Sequence, residues 1–587
     1  MIWPNLTETY QSRINTEVFY GYDHTHKIIP GVWHDEQNLS ARQYPLFAQR
    51  DKRGIVADLT DPQGLLAKDA LMYIDGSQVI YNGLPVDNIT LSTAEDMLPK
   101  QMVSMGAYAV IFPDKVYINT ANLSDVGSLE AKYVAIDGLD ITAQMCRVDG
   151  SAYEVTDIGD VAPESPTNGA YWIDTSNANH VLKQYSDAQA MWIEIISTYV
   201  RIGATGIGVN FGVDDGVKIS GLSGTAQLEE LNNDNVIMAK GDDYIVITGI
   251  LDQVHEQEGG LVVTRECPDM DYVTESNNRI WGCRYGMQDG NVVNEIYACK
   301  LGDFKNWRCY AGISTDSYAV SVGTDGRFTG ATTHLGYPLF FKEGCIHKIY
   351  GSMPSEYSVN TTMCRGVQEG SWRSLNIVNE VLYYLSRDGV VAYDGSLPTS
   401  VSDAFGSEKY HNAAAGSIGQ TYYISMQDRI DAWHLMTYDT EKRIWHREDN
   451  TRALCFANIR GDLMYIDADT RQLISACGIS GTPEDDFEWY AESGIMGYEY
   501  PDSKYLSRYT IRFKLGEGAT MSMHIEYDSD GEWKEMWCCQ GTAALRSFTI
   551  PVIPRRCDHL RLRLSGKGDV RIYSIARYLE GGSAHWL

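Results

Sequence analysis

The sequence has 587 residues, a formal net charge of −30 at pH 7 and a hydrophobic content of 44%. That hydrophobic content is ordinary for a globular protein, so the composition does not predict disorder. The length allows several domains or one large repeat array with an appendage. The acidic excess argues against a surface that grips nucleic acid through its phosphates, because such a surface needs clustered Lys and Arg.

The N-terminal part of the sequence, residues 1–55, has no clear strand pattern, and we expect it to be irregular. It contains His24, His26 and His34, but without a matching carboxylate or Cys framework a solvated loop is favoured over a metal site. The basic run at residues 50–53 stands out against the acidic whole. A solvated turn is the commoner explanation for such a run, and contact with an acidic partner is the alternative.

A strand–turn–strand unit recurs after this segment. Its clearest copy is at residues 379–395, where two apolar runs flank Asp388-Gly389. Asp-Gly between two such runs indicates a hairpin, because Gly accepts a positive φ in a tight turn. Similar units begin at Leu71 and Tyr108, 37 residues apart.

The spacing of these units predicts a β-propeller. Strand-like runs begin near residues 338, 381, 421 and 462, so they are spaced 43, 40 and 41 residues apart. A period near 40 with four short strands per unit is typical of propeller blades. A series of β-sandwiches is the alternative, but it would rarely keep so steady a spacing. We assign residues 56–140 and 221–484 to the propeller.

Two further all-β units are predicted. Runs at residues 171, 181 and 191 indicate a small meander, and we expect an inserted β domain at residues 141–220. The Gly-rich run within it lacks a Gly-Lys-Ser/Thr ending, so no nucleotide site is expected. Five runs of alternating polarity after residue 485 predict a C-terminal β-sandwich at residues 485–587.

The 12 cysteines and the hydropathy pattern bear on the compartment. No C-x-x-C pair is present, and most cysteines lie in strand-like runs, so buried free thiols are expected, as in a protein that folds in a reducing cytoplasm. We expect no membrane span, because no run of about 18 apolar residues occurs. The N-terminus lacks the basic and apolar regions of a signal peptide.

The sequence predicts no catalytic, cofactor-binding or metal-binding residues, and we expect a protein that is not an enzyme. It has no Gly-x-Ser-x-Gly elbow and no His-Glu-x-x-His motif. Residues 528–531 have some likeness to a calcium loop, but the further ligands are absent and a hairpin turn is favoured. Asp388 and Asp394 are expected to form turns and not to serve as acid and base.

Four stretches resemble virion proteins of tailed phages and prophages of Gram-positive gut bacteria, which are commonly labelled stabilisation or tail structural proteins. These stretches are residues 38–50, 294–307, 393–398 and 554–560. A more distant likeness is to the propeller-based DNA-stabilisation and nozzle proteins of short-tailed phages. The resemblance extends from about residue 20 to the C-terminus.

The resemblance implies a function without catalysis. The chain would be a neck or tail nozzle protein of the virion, assembled in the host cytoplasm into a homo-oligomeric ring, by analogy a hexamer, next to portal, adaptor or other tail proteins. The ring would extend or close the DNA channel, retain the packaged genome and conduct double-stranded DNA without binding it specifically. The alternatives are a host-surface, glycan-binding tail adhesin and a glycosidase of the tail-spike kind.

Overall fold

The computed structural model describes residues 11–25, 29–93, 99–153, 155–288, 290–497, 504–541, 543–552 and 555–581. Regular structure in these residues is almost entirely β-strand, which confirms the all-β prediction. The described helices are one short α-helix, Ala226–Leu231, and the 3-10 turns Ala41–Gln43, Trp372–Ser374 and Asp403–Phe405. No helix in the described ranges is long and apolar enough to cross a membrane.

Seven antiparallel sheets, counted over the described ranges, follow one another around a ring and confirm the propeller prediction. The first strands of neighbouring blades contact each other, and between blades 4 and 5 the contact is made by Gly330–His334 with the Trp372–Ser374 turn that precedes blade 5. The first strand of blade 7 contacts that of blade 1, so the ring closes. The strands of each blade are given from the innermost outwards. Blade 1 has Pro62–Ala67, Leu71–Asp75, Gln78–Tyr81 and Leu84–Pro85; blade 2 has Gln101–Met105, Tyr108–Phe112, Val116–Asn119 and Val126–Ser128; blade 3 has Tyr272–Ser276, Arg279–Gln288, Asn291–Ala298 and Tyr318–Ser321; and blade 4 has Gly330–His334, Tyr337–Lys342, Cys345–Tyr350 and Ser358–Met363. Blade 5 has Asn376–Val378, Val381–Ser386, Gly389–Tyr393 and Thr399–Ser400; blade 6 has His411–Ile418, Thr421–Gln427, Trp433–Asp439 and Ile444–Asp449; and blade 7 has Ala453–Ile459, Asp462–Asp467, Gln472–Ser475 and Gly54–Asp58.

The recurring apolar run is the second strand of each blade. In blade 5 this strand, Val381–Ser386, is buried at almost every position. Leu382 and Tyr384 belong to a core shared with blade 4, whereas Tyr383 and Leu385 belong to a core shared with blade 6. Because both faces of the strand are covered, its sequence is continuously apolar and not alternating.

The ring is closed by a strand from the N-terminal segment. Gly54–Asp58 pairs antiparallel with Gln472–Ser475 as the fourth strand of blade 7, and Thr482–Pro483 pairs on its outer side. At Gly54 a Cβ atom would lie 1.9 Å from the carbonyl oxygen of Ser480, so only glycine fits there. The last blade is therefore built from both ends of the propeller sequence.

The inserted domain is larger than predicted. Ala131–Val134 pairs with Val262–Arg265, so residues 131–140 and 221–265, which we assigned to the propeller, belong to the insert. The run at Tyr244–Thr248 is not a blade strand, because it pairs with Tyr199–Gly203. The described residues of the insert form three sheets. In sheet order, the first contains Ala131–Val134, Val262–Arg265, Gly216–Ser220 and Asp234–Val236, and the second contains Ala239–Gly241, Tyr244–Thr248, Tyr199–Gly203, Asp140–Cys146 and His255–Glu258. The third contains Val155–Gly159, Tyr171–Asp174, Val181–Ser186 and Met191–Glu194. The predicted meander at 171–194 is present in the third of these sheets.

The C-terminal region forms two sheets that enclose one core, as a sandwich does. The prediction of an irregular N-terminal segment is wrong for its described part, because three of its strands belong to these sheets. They were missed because they are short or polar. The first sheet contains Gln11–Thr16, Val570–Gly581, Lys504–Leu515, Leu545–Pro551 and Phe47–Ala48, and the second contains Asp35–Gln37, Glu488–Glu492, Leu560–Lys567, Thr520–Tyr527 and Lys534–Gln540. The remaining short strands of the segment, Gly21–Tyr22 and Val32–Trp33, pair with each other.

The basic run at residues 50–53 is not a solvated turn. The side chains of Arg50 and Arg53 are buried, and Arg53 donates to Glu448 at 2.7 Å and to Asp449 at 2.6 Å. Arg50 forms an ion pair with Glu484. These acidic partners lie in blade 6 and in the link to the sandwich, so the run fastens the N-terminal segment to the rest of the chain.

The cysteines are free, as predicted, and most of them are buried. Burial raises the pKa of the Cys299 and Cys455 thiols to about 12, which keeps them protonated and unreactive at neutral pH. Cys538, on the outer sandwich strand Lys534–Gln540, is exposed.

We expect a short pulse of N-ethylmaleimide to modify Cys538 in the native protein and to leave Cys299 and Cys283 unmodified, because Cys538 is exposed and the other two cysteines are buried. Mass spectrometry of peptides after the pulse measures the extent at each position. Denaturation in guanidinium chloride before the pulse is the control, and there all three thiols should react. Labelling of Cys299 as fast as Cys538 in the native protein would contradict the placement of these residues.

Candidate functional site

A polar cavity is present near the axis of the propeller. Its volume is about 660 Å³, within the range of about 300–1,000 Å³ that is usual for small-molecule sites. Side chains from blades 2, 3, 6 and 7 and from the link between blades 4 and 5 all reach it, which places it over the axis and not between two neighbouring blades. The lining residues are Pro99, Gln101, Asp271, Tyr272, Glu369, Gly370, Trp372, Arg373, Asn412, Gln427, Trp433, Arg452, Ala453 and Leu454.

Two tryptophans stand on the walls of this axial cavity. Trp372 begins the 3-10 turn Trp372–Ser374, and its ring centre lies 6.1 Å from that of Tyr272. Trp433 begins the third strand of blade 6, and the Arg452 guanidinium lies 5.4 Å from its ring centre. All four side chains are only partly buried, so flat apolar faces meet the cavity beside a cation.

Arg373 is the unusual member of the lining. Its Nη1 donates to the main-chain carbonyl oxygen of Leu454 in blade 7, and its Nε is buried without a hydrogen-bond partner. Burial lowers the pKa of Arg373, and the charge of Arg452 lowers it further. Within the described ranges no carboxylate lies within ion-pair distance of this guanidinium.

Of the two carboxylates that line the cavity, Asp271 is engaged elsewhere and Glu369 has only a weak, exposed ion pair. Asp271 accepts from the Arg284 guanidinium and from the N–H of Tyr285, each at 2.8 Å. Glu369 is exposed and lies 3.8 Å from Arg327. The cavity therefore offers cationic and aromatic groups and has no pair of free carboxylates suited to acid–base catalysis.

The hairpin carboxylates have the roles that the sequence predicted. Asp394 accepts from the N–H of Ser396 at 3.0 Å and from its hydroxyl at 2.6 Å, and these bonds lower the pKa of Asp394. Asp388 lies at the tip of the preceding hairpin, 3.2 Å from Arg365. Residues 528–531 also form the predicted hairpin turn, since Thr520–Tyr527 pairs with Lys534–Gln540.

A second cavity, of about 540 Å³, contains a hydrogen-bonded chain of three side chains. The Ser529 hydroxyl lies 2.9 Å from Nε2 of His559, and Nδ1 of that ring lies 3.2 Å from the Asp558 carboxylate. This is the order of nucleophile, base and orienting acid in serine hydrolases. However, the N–H groups of Asp558 and His559 both donate to Asp528. Because those donors are not free to stabilise an oxyanion, we assign no catalytic role to the chain of side chains.

The histidines of the N-terminal segment do not form a metal site in the described residues. The rings of His24 and His34 are stacked with centroids 4.1 Å apart, and burial together with the neighbouring His24 lowers the pKa of His34. No group of three potential metal ligands occurs among the residues that the structure describes. His26 lies outside those residues, as does Pro554 of the fourth stretch on which the family resemblance rests.

Comparison with known proteins gives no family. The sequence matches no family model and no curated protein. Similar solved structures include Raptor of Chaetomium thermophilum (TM-score 0.30, 10% identity, 74% of this chain and 30% of that chain). Another is an exo-beta-1,3-galactanase from Phanerochaete chrysosporium (TM-score 0.20, 7% identity, 52% of this chain and 94% of that chain). A third is a glycoside hydrolase family 43 arabinoxylan arabinofuranohydrolase from Bacillus subtilis (TM-score 0.16, 9% identity, 52% of this chain and 94% of that chain). TM-scores this low carry no inference about shared function, and the chain spans about 30% of the length of Raptor.

Sequence reasoning did not find the axial cavity. Trp372 and Arg373 lie in an irregular link, and Trp433 and Arg452 lie far from them in sequence. A signal was nevertheless present: once the blade period is known, the residues just before the first strand of each blade are those that approach the axis. Arg373 and Arg452 both occupy such positions.

Proposed function

We propose that the chain is a structural subunit of a tailed-phage particle, a ring-forming neck or tail nozzle protein that retains packaged DNA and conducts it during ejection. The proposal starts from the resemblance of residues 38–50, 294–307, 393–398 and 554–560 to such virion proteins. By analogy with the nozzle proteins, the ring would be a hexamer attached below the portal and adaptor.

The observation that carries the proposal is the way the N-terminal segment fastens the propeller to the sandwich. One continuous stretch supplies Asp35–Gln37 and Phe47–Ala48 to the sandwich and Gly54–Asp58 to blade 7. Between the second and third of these strands, Arg50 and Arg53 form ion pairs with the propeller and its link. A subunit that bears load during DNA ejection needs such a stiff connection between its parts.

The net charge supports the same function. A conduit for double-stranded DNA works best when it does not hold phosphates, because each fixed cation would bind one. The formal charge of −30 repels a polyanion and opposes binding along the channel.

Electron microscopy tests this proposal. We expect the purified protein to form a cylindrical ring, and we expect antibody-labelled virions to carry the protein at the portal vertex. The matched control is the same labelling on particles that lack tails. A strictly monomeric protein that is also absent from purified virions would contradict the proposal.

The second candidate function is attachment to glycans of the host surface. The axial cavity favours it, because sugar rings stack on flat aromatic faces and Trp372 and Trp433 present two such faces. A glycan array probed with the intact chain tests this function, with Trp433→Ala as the variant that should lose binding. If the array gives no signal and the protein is located at the portal vertex, the glycan-binding function is contradicted and the nozzle function remains.

A further inference from the structure

Arg373 lies in the lining of the axial cavity, where a bound ligand would contact it. It belongs to the Trp372–Ser374 turn. Its hydrogen bond to the Leu454 carbonyl oxygen links this turn to blade 7. Arg373 is partly buried. A guanidinium withdrawn from water normally has a carboxylate or several carbonyl partners, because an unpaired cation away from water is costly. Arg279 shows the usual arrangement, donating to three carbonyl oxygens. Arg373 has one carbonyl partner. The Nε atoms of both arginines are buried without a hydrogen-bond partner, so the two side chains differ in the number of carbonyl oxygens that they contact.

A second cation faces the same space. Arg452 is partly exposed and lies over the Trp433 ring, and its nearest carboxylate, Asp469, is 3.8 Å away and largely exposed. An exposed pair at that distance contributes little. The two arginines therefore place two weakly paired cations in the cavity lining, where Arg284 neutralises Asp271 and Glu369 is an exposed carboxylate at the rim.

We propose that the axial cavity binds a saccharide that carries a carboxylate, with Arg373 and Arg452 pairing with the carboxylate and Trp372 and Trp433 stacking on the sugar rings. Guanidinium groups bind carboxylates with strong, directional hydrogen bonds. The cavity volume of about 660 Å³ suits a short saccharide end. This proposal rests on the second candidate function, attachment to glycans, and is independent of the nozzle function.

A single-stranded nucleic acid is the main competing ligand, because bases also stack on tryptophan and phosphates also bind arginine. A nucleic acid carries a charge on every residue, and those outside the cavity would face the acidic surface. One acidic sugar at the end of a glycan brings its charge only to Arg373 and Arg452. The charge distribution therefore favours the saccharide.

Calorimetric titration of the full chain with two trisaccharides tests the proposal. The two ligands are identical except for the terminal sugar, which is glucuronic acid in one and glucose in the other. We expect the acidic trisaccharide to bind at least about tenfold more tightly, since one charge-assisted pair separates the two. Arg373→Gln should remove this difference and leave the neutral affinity within about threefold. Trp433→Ala should weaken both ligands. Arg387→Gln, at an exposed hairpin tip outside the lining, is the matched control and should change neither.

The outcomes separate the two levels of the proposal. Equal binding of both trisaccharides would overturn the carboxylate specificity and leave glycan attachment standing, whereas binding of neither would overturn both. Tighter binding of a deoxythymidine hexamer, lost in Arg373→Gln, would assign the cavity to nucleic acid and overturn the saccharide. If Arg373→Gln does not fold, judged by its thermal melt, Arg452→Gln provides the same test, because Arg452 is more exposed and has no role in linking blades.

Discussion

Replacement of Arg53 by methionine is expected to lower the free energy of unfolding by about 3–5 kcal/mol, the usual cost of removing one partner from a buried ion pair. Arg53 is buried and donates to Glu448 at 2.7 Å and to Asp449 at 2.6 Å. Glu448 is itself buried, and its next cation, Arg50, is 4.0 Å away. Methionine fills much of the same space, so the loss of stability measures mainly the effect of leaving the two carboxylates without the Arg53 charge.

Equilibrium unfolding in urea measures this effect, and two controls make it specific. The double variant Arg53→Met/Glu448→Gln should recover part of the loss, because the uncompensated buried charge is gone. Arg365→Ala removes an exposed ion pair with Asp388 and should cost less than about 1 kcal/mol. If Arg53→Met cost no more than Arg365→Ala, the ion pairs would not hold the N-terminal segment in place.

The same cluster predicts acid sensitivity. Burial alone would raise the pKa of Asp449, but the charge of Arg53 and the hydrogen bonds from Arg53 and Thr451 outweigh it and lower the pKa to about 2. Because the folded pKa lies below the unfolded one, the stabilisation is complete above about pH 4 and is lost as pH falls towards about 2. The contribution is about 2 kcal/mol. Urea unfolding between pH 5 and pH 2 should show this loss in the native protein and less of it in Arg53→Met.

The sequence predicted the propeller because one strand of each blade is covered on both faces. Those second strands, such as Val381–Ser386, are continuous apolar runs and repeat at a steady spacing. Outer strands such as Thr399–Ser400 are two exposed polar residues and leave no pattern. The blade count could not be read from the sequence for this reason, since several blades are visible through one strand only.

Long-range pairing explains the errors in the domain boundaries. Tyr244–Thr248 has the composition of a blade strand, and only its pairing with Tyr199–Gly203 places it in the insert. The buried state of Arg50 and Arg53 likewise depends on acidic residues that lie about four hundred positions later. Charge runs are usually solvated, and nothing local to this one indicates otherwise.

Removal of residues 1–59 is expected to abolish cooperative folding of the propeller, because blade 7 loses its fourth strand, Gly54–Asp58, and the ring is left open. The strand pairs on one side with Gln472–Ser475 and on the other with Thr482–Pro483, so two sets of main-chain hydrogen bonds disappear. We expect the loss to be comparable with the whole stability of a domain, about 5–15 kcal/mol.

Hydrogen exchange followed by mass spectrometry measures this outcome at blade 7. In the native protein we expect slow exchange over Ala453–Ile459 and Asp462–Asp467, the two innermost strands of that blade. In the truncated chain both should exchange fast. Removal of residues 1–17 is the matched control, because among the described strands it takes Gln11–Thr16 from the sandwich and leaves the closing strand in place. Slow exchange of blade 7 in the longer truncation would show that the ring does not depend on Gly54–Asp58.

The longer truncation also removes Arg50 and Arg53, so strand pairing must be separated from charge. The full-length double variant Arg50→Met/Arg53→Met keeps the strand and leaves Glu448 and Glu484 without these cations. If the strand is what closes the ring, this variant should be less stable but should still protect blade 7 in one cooperative unit. If blade 7 exchanges as fast in this variant as in the truncated chain, the ion pairs close the ring, and pairing of the strand alone does not hold it closed.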